Sequence, residues 1–361
     1  MKQRAAIIVG TRPEAIKMAP VVRALAADGA LAPVLISTGQ HRELLASALR
    51  PLELTPDHDL EVMTPGQTPS SVTARVLDRL PPLLDQLKPA VLLVQGDTTT
   101  AFAAGLAAYY QRIPVGHVEA GLRTYDHEHP FPEEANRQLV ARISTWCFAP
   151  TELSRDNLLA ERIAPERVIV TGNTAVDALL WAVSRSHERC PEGTVLITLH
   201  RRESFGEPLH EIALGVRDFL EATPGAHALW PVHPNPNVGR VLDDVLGTSP
   251  RVTRRDAMEY VAFTGVLASC RLVLTDSGGL QEEAPSLGKT VLIARETTER
   301  PEALASGRNR LTGRTRAGVR EALLTAWNEP AYAGPLPAPN PFGDGKAAER
   351  IVAALRQGLG V

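Results

Sequence analysis

The chain has few cysteines and no strong excess of one charge. Three cysteines occur among 361 residues and none belongs to a CxxC pair, so we expect buried free thiols in a reducing compartment. The formal net charge is -3, which gives no overall attraction to nucleic acid or to an anionic membrane. Any phosphate must therefore be bound through local geometry.

Long apolar runs are also missing. No stretch approaches the roughly 18 apolar residues of a membrane-spanning helix, and the first run, "AAIIVG" at 5–10, is too short for a secretory signal. We expect a soluble, cytoplasmic protein. The sequence has no GxGxxG after its first strand, and "SLGKT" has Glu283 where a P-loop needs glycine. These absences argue against dinucleotide and P-loop sites.

Short aliphatic runs alternate with longer amphipathic stretches along the chain. The runs are continuously apolar, which is typical of parallel strands buried on both faces. The predicted strands are 5–10, 32–38, 90–97, 114–120, 146–151 and 167–172, and then 194–200, 227–233, 251–256, 271–278 and 290–294. The sequence therefore predicts an α/β protein with two Rossmann-like, doubly wound parallel-sheet domains.

Proline, glycine and polar residues indicate where the regular elements are interrupted. The segment "RSHERCPEG" at 185–193 places a linker within 173–192, and the Pro- and Gly-rich stretch 328–345 predicts an extended connector before a last helix at 346–358. Pro20 lies inside a helical pattern at 13–27. That helix either begins near Pro20 or is kinked there.

Polar residues follow several predicted strands of the first half. Arg12 stands where a helix N-terminus and a guanidinium could hold a phosphate, although it could equally be a surface arginine. Asp97, Glu119 and Glu133 follow later strands or open a helix, and each alone could be a helix cap or complement a helix dipole. Their convergence at one edge of a parallel sheet favours a shared site.

The second half carries a comparable set. His200 ends a predicted strand, and Ser277, Gly278 and Gly279 begin a helix whose amides could bind phosphate. Glu283, about one turn further along, could accept hydrogen bonds from a ribose diol. This junction predicts a cradle for a nucleoside diphosphate that works without a metal.

The chain resembles the bacterial non-hydrolysing UDP-N-acetylglucosamine 2-epimerases over nearly all its length. The matching segments include "GTRPEAIKMAP", "TGQHRELL", "GDTTTAFA", "PVGHVEAGLRT", "PFPEEANR", "HRRES", "PVHPNPNV" and "TDSGGLQEEAPSLGK". The resemblance implies a fold of the GT-B glycosyltransferase type with its active site in the interdomain cleft. It implies an N-terminal domain of 1–173 with 346–361, because the last helix crosses back, and a UDP-binding domain of 174–345.

The resemblance also implies an activity. UDP-GlcNAc and UDP-ManNAc would interconvert by elimination of UDP to a 2-acetamidoglucal and readdition, with no cofactor and no metal. It implies a homodimer that feeds cell-envelope polysaccharide synthesis. Three alternatives remain at this point: a hydrolysing relative that releases UDP and ManNAc, an epimerase for a modified sugar, and a glycosyltransferase or inactive sugar-nucleotide binder.

Individual roles are carried over from the matching segments. The implied catalytic residues are Asp97, Glu119, Glu133 and His200. The implied substrate contacts are Arg12, Ser277, Gly278 and Gly279 around the diphosphate, Glu283 at the ribose, Lys17 and Arg137 near the sugar site, and Phe263 beside the uracil.

Overall fold

The computed structural model describes residues 2–39, 49–62, 64, 66–201, 204–232, 236–247, 249–305, 307–329 and 340–361. The chain divides into two compact units, residues 1–180 with 342–361 (unit 1) and residues 181–341 (unit 2). Positions 40–45 of "TGQHRELL", Arg202, His233 and most of the predicted connector, 330–339, lie outside the described residues.

Unit 1 is built on one parallel sheet with the strand order β3-β2-β1-β4-β5-β6-β7. Its strands are Gln3–Val9 (β1), Leu31–Ser37 (β2), His58–Asp59 (β3), Val91–Gln95 (β4), Val115–Val118 (β5), Trp146–Ala149 (β6) and Val168–Val170 (β7). Its described helices are Arg12–Asp28 (α1), Pro69–Leu87 (α2), Thr99–Tyr110 (α3), Glu133–Ile143 (α4), Glu152–Ala160 (α5) and the last helix of the chain, Ala347–Leu359 (α13). A helix at Thr174–Arg185 (α6) runs across the boundary into unit 2.

Alternate residues of β1 face opposite sides of this sheet and belong to separate cores. Ile7 packs in a cluster that includes Leu355 of α13, whereas Ile8 packs in a cluster that includes Val76 of α2. All four side chains are fully buried. Helices therefore cover both faces of the sheet, as the continuously apolar strands predicted.

Unit 2 repeats the architecture with the strand order β10-β9-β8-β11-β12-β13. Its strands are Thr194–Thr198 (β8), His227–Pro231 (β9), Val252–Arg255 (β10), Leu272–Thr275 (β11), Thr290–Ile293 (β12) and Asn309–Leu311 (β13). Its described helices are Glu207–Ala222 (α7), Pro236–Leu246 (α8), Tyr260–Ser269 (α9), Gly278–Glu283 (α10), Pro301–Ala305 (α11) and Arg316–Asn328 (α12). One core joins Val195 and Ile197 of β8 to Phe219 of α7 and Leu323 of α12. The predicted pair of doubly wound parallel-sheet domains is confirmed.

The structure adds local detail to these predictions. The boundary between the two units, after Leu180, falls within the predicted linker range of 173–192, and this segment is helical over Thr174–Arg185. The first helix does not begin near Pro20, because α1 is continuous from Arg12 to Asp28 with Pro20 buried inside it. The short strands β3 and β13 were not predicted. No helix within the described ranges is long and apolar enough to cross a membrane.

Candidate active site

Both sheets reverse their strand order between two central strands. The reversal lies between β1 and β4 in unit 1 and between β8 and β11 in unit 2. Open parallel sheets bind ligands beyond the carboxyl ends of the strands at such a reversal. Lys17 and Asp97 follow the first pair of strands, and His200 and Ser277 follow the second pair. Each unit therefore carries one group of candidate residues at this edge of its sheet.

Asp97 lies in the turn between β4 and α3. Gly96 precedes it with φ of +68°, a backbone conformation that favours glycine, and Thr98 caps α3. The Asp97 carboxylate pairs with the guanidinium of Arg137 on α4. Arg137 also lies 3.4 Å from a carboxylate oxygen of Glu134. The sheet edge and one helix together fix where the Asp97 carboxylate points.

Glu119 follows β5 and forms the second centre of this group. Lys17 Nζ lies 2.6 and 2.7 Å from its two carboxylate oxygens. Gln95 donates a hydrogen bond to one oxygen, and Asn173 donates to the other at 3.2 Å. Glu119 has φ of +65°, an unfavourable conformation that persists where surrounding contacts determine it. Partners from α1, β4 and the start of α6 supply those contacts.

The electrostatics of the group favour proton transfer at Asp97. Burial raises the pKa of Asp97 above its ordinary value; Arg137 opposes that rise and the nearby Glu119 adds to it. A carboxyl whose pKa moves toward neutrality can both take and return a proton at working pH. The predicted Lys17, Asp97, Glu119 and Arg137 form two ion pairs, Lys17 with Glu119 and Asp97 with Arg137, and the charges of the first pair also act on the pKa of Asp97.

Glu133 and its neighbour Glu134 have different surroundings. Glu134 is fully buried and accepts hydrogen bonds from the amides of Thr124 at 3.0 Å and Tyr125 at 3.2 Å, and from the side chain of Gln138 at 2.7 Å. Glu134 therefore holds the loop before α4. The half-buried Glu133 carboxylate has no hydrogen-bond partner among the described residues, and its catalytic role stays a prediction.

The start of α1 contains a buried carboxylate that the sequence analysis did not select. Thr11 caps the helix and Glu14 completes a capping box with it, while Arg12 is exposed in the first turn. Glu14 is 1% exposed, and this burial raises its pKa against the opposing hydrogen bonds from Thr98, Thr11 and Gly10. The T-x-x-E spacing of Thr11 and Glu14 is the sequence pattern that could have indicated this capping box.

In unit 2, His200 lies beside a buried aspartate. Asp276 follows β11, is fully buried, and accepts hydrogen bonds from the amides of His200 at 3.1 Å and Arg201 at 3.0 Å and from the Ser204 hydroxyl at 2.7 Å. His200 Nδ1 lies 3.3 Å from Asp276 Oδ1, and the His200 side chain is 50% exposed. Asp276 therefore anchors the His200 backbone while the imidazole stays accessible.

The glycines after Ser277 lie against charged side chains. A Cβ on Gly278 would lie 2.5 Å from a terminal nitrogen of Arg300, so a side chain at this position would displace the guanidinium. Arg300 pairs with the fully buried Glu282. A Cβ on Gly279 would lie 3.8 Å from a Glu283 carboxylate oxygen and 3.9 Å from the Ser277 hydroxyl. The structure thus brings Ser277, both glycines and Glu283 together.

Phe263 lies half-buried on α9, and its contact with uracil stays a prediction. Asp276 and the pair of Arg300 with Glu282 were not predicted from the sequence. No spacing in the sequence links positions 276 and 200, or 300 and 282, because parallel strands and their following loops bring them together.

Comparison with known proteins identifies relatives along the whole chain. A family model described as UDP-N-acetylglucosamine 2-epimerase matches residues 23–356. A UDP-N-acetylglucosamine 2-epimerase from Escherichia coli is 47% identical over 365 residues, covering 97% of this chain and 97% of the relative. The crystal structure of UDP-GlcNAc 2-epimerase from Neisseria meningitidis bound to UDP-GlcNAc matches with a TM-score of 0.86 and 40% identity, covering 98% of this chain and 100% of the other.

The likeness in fold extends to glycosyltransferases. The structure of the glycotransferase of kitacinnamycin has a TM-score of 0.64 and 15% identity, covering 99% of this chain and 95% of the other. At that identity the likeness concerns the fold alone, and it agrees with the predicted GT-B type.

Proposed function

The chain belongs to the UDP-N-acetylglucosamine 2-epimerase family, and we propose that it interconverts UDP-GlcNAc and UDP-ManNAc without net hydrolysis. The observation that carries this proposal is the pair of carboxylates that follow two adjacent strands of unit 1, Asp97 after β4 at the strand-order reversal and Glu119 after β5. Each carboxylate has its own cationic partner, Arg137 and Lys17 respectively. Such a set can take a proton from one position of a sugar and return it.

The chemistry requires a base because carbon 2 of the sugar has no neighbouring carbonyl. Its proton is therefore not acidic, and direct removal would be slow. In the proposed route a carboxylate takes the carbon 2 proton, the electron pair forms the carbon 1–carbon 2 double bond, and the bond from carbon 1 to the diphosphate oxygen breaks. UDP leaves with the electron pair of that bond, and 2-acetamidoglucal remains. Readdition of UDP to carbon 1, with protonation of carbon 2 from the other face, gives the epimer.

Unit 2 would retain UDP while the sugar is unsaturated. The Gly278 and Gly279 amides lie in the first turn of α10, where backbone N–H groups have no acceptor within the helix and can bind phosphate oxygens, and Glu283 could accept from the ribose hydroxyls. The Ser277 amide donates to the Thr275 hydroxyl at 2.9 Å, so Ser277 would contact the diphosphate through its side chain. His200 could donate to the leaving diphosphate, since half of its side chain is exposed. Arg12, Gly279 and Phe263 keep the substrate contacts that the resemblance implies, and Glu133 keeps its implied catalytic role.

The reaction as proposed is redox-neutral, since elimination and readdition return every electron to the sugar nucleotide. It therefore requires neither a nicotinamide nor a flavin, and we infer that the chain works without a cofactor. From the family alone we also infer a cytoplasmic homodimer whose product enters cell-envelope polysaccharide synthesis. Light scattering of the purified protein across a concentration series would test the dimer directly.

The activity is tested by incubating purified protein with UDP-GlcNAc alone and separating the products by anion-exchange chromatography. We expect UDP-ManNAc to accumulate to a constant ratio with UDP-GlcNAc, and Asp97→Asn and Glu119→Gln to lose most turnover while remaining folded. The matched control is Asp85→Asn, which neutralises a carboxylate on α2. Stoichiometric free ManNAc and UDP would assign the hydrolysing activity instead, and an unchanged substrate would reject the proposal.

A further inference from the structure

Three consecutive residues at the end of β4 are each held by a side chain from a different element. The Gly96 carbonyl oxygen lies 2.7 Å from His117 Nε2 on β5. The Asp97 carbonyl accepts from Asn136 Nδ2 on α4 at 2.9 Å. The Thr98 hydroxyl donates to Glu14 on α1 at 2.7 Å. We call residues 96–98 the Asp97 turn.

The three holding side chains are buried, which makes their hydrogen bonds more consequential than contacts at the surface. His117 is 0% exposed, Glu14 1% and Asn136 7%. His117 binds a carbonyl, so Nε2 carries the proton in this contact. Losing one of these bonds would leave a partly buried carbonyl, or one oxygen of the buried Glu14 carboxylate, without this donor.

Glu14 connects the Asp97 turn to the loop after β1. Its second carboxylate oxygen accepts from the Gly10 amide at 3.1 Å, the Thr11 amide at 2.7 Å and the Thr11 hydroxyl at 2.7 Å. That loop leads directly into α1, which carries Lys17. One buried carboxylate therefore fixes the distance between the loops that follow β1 and β4.

With its backbone held on both sides, Asp97 retains freedom only in its side chain, and Arg137 restricts that as well. Asn136 and Arg137 are neighbours on α4, so one helix binds both the carbonyl and the carboxylate of Asp97. Catalytic groups need this support, because a misplacement of about 1 Å can cost roughly 100-fold in rate.

We infer that His117, Asn136 and Glu14 are positioning residues that hold the Asp97 turn and thereby place the Asp97 carboxylate for proton transfer. The second part of this inference rests on the proposed epimerase function. The claim that the three side chains hold the Asp97 turn concerns the ligand-free protein and does not depend on the proposed function. None of the three side chains needs to touch the substrate.

The test compares three variants in the full-length protein. Asn136→Leu removes the donor to Asp97. In His117→Asn the side-chain amide lies near the position of Nδ1, and the shorter side chain cannot reach the Gly96 carbonyl. In His117→Gln an amide N–H can extend toward the position of Nε2. Leu84→Ala is the control, since this buried residue lies in the last turn of α2, at the opposite edge of the sheet.

Two measurements are made on each variant: kcat and KM with UDP-GlcNAc, and amide hydrogen exchange over residues 96–101 without ligand. We expect Asn136→Leu and His117→Asn to lower kcat roughly 10- to 100-fold with KM within about 2-fold, and to speed exchange of this segment at least about 10-fold. His117→Gln should recover most of both. Leu84→Ala should change neither measurement beyond its effect on global stability.

Each other result contradicts part of the inference. Unchanged exchange in Asn136→Leu and His117→Asn would mean that these side chains do not hold the turn. Faster exchange with wild-type kcat would mean that the turn does not position Asp97. If Asn136→Leu and His117→Asn lost no more kcat than Leu84→Ala, the loss would be explained by general destabilisation of the protein. If the wild-type protein does not epimerise UDP-GlcNAc, the proposed function fails, and the exchange measurement still decides whether the turn is held.

Discussion

His117 predicts a specific sensitivity of the fold to acid. It is fully buried on β5, and burial lowers its pKa from 6.5 to about 4, with the hydrogen bond to Gly96 opposing the shift. The unfolded chain takes up this proton near its ordinary pKa, whereas the folded chain must reach a much lower pH. The contribution of His117 to the free energy of unfolding is therefore fully present above its pKa in the unfolded chain. It is lost as the pH falls toward the pKa of His117 in the folded chain.

The magnitude follows from the shift in the pKa of His117. Between about pH 7.5 and about pH 4.5, linkage gives a loss of roughly 2.5 kcal/mol from this residue. Asp177, whose pKa burial raises to about 6, titrates in the same range, so the quantity to compare is the difference between wild type and His117→Gln, which cannot take up the proton. Urea unfolding at both pH values gives the two free energies of unfolding.

The wild type should lose about 2.5 kcal/mol more than His117→Gln over this interval. His127→Gln is the control, because it removes an exposed histidine from the same unit and should leave the wild-type pH dependence unchanged. Equal pH dependence in wild type and His117→Gln would refute the reasoning, since it would mean that His117 binds its proton equally well in both states.

Three further changes test the packing and the termini of unit 1. Gly121→Ala should destabilise the protein by at least about 3 kcal/mol, because φ is +94° and the new Cβ would lie 2.2 Å from the Ser154 carbonyl; a wild-type urea midpoint would contradict this close approach. Burial raises the pKa of Asp177 to about 6, so wild type should lose roughly 2.4 kcal/mol relative to Asp177→Asn as the pH rises from about 4 to about 7; an equal pH dependence of the urea stability in the two proteins would contradict this. Leu355→Ala should cost about 2–5 kcal/mol, because this α13 side chain is fully buried, and a thermal melt within error of wild type would show that α13 contributes little.

The architecture could be predicted because parallel strands buried on both faces leave a strong signal. Residues 91–95 and 272–275 are continuously apolar or buried, and a helix follows each of them. The strand β3 has only two residues, which is too short for any periodicity to indicate. The course of α1 through Pro20 was also open, because tertiary burial of that residue decides whether the helix continues.

The site could be predicted only in part. Asp97 and Glu119 were selected because they follow strands, and parallel strands bring such residues to one edge. Glu14, Asn136 and Asp276 were not selected as site residues, since their roles depend on hydrogen bonds to residues distant in sequence. Buried polar side chains of this kind resemble helix caps until the fold supplies their partners.

The central claim is that carbon 2 loses and regains a proton while UDP departs and returns. The most direct measurement is proton NMR of UDP-GlcNAc with the purified protein in deuterated water, with no cofactor added. The account predicts that UDP-ManNAc forms and that carbon 2 of both epimers acquires deuterium. In Asp97→Asn, neither UDP-ManNAc formation nor deuterium incorporation should be detected. Epimers that retain their original proton at carbon 2 would contradict the proposed elimination and readdition.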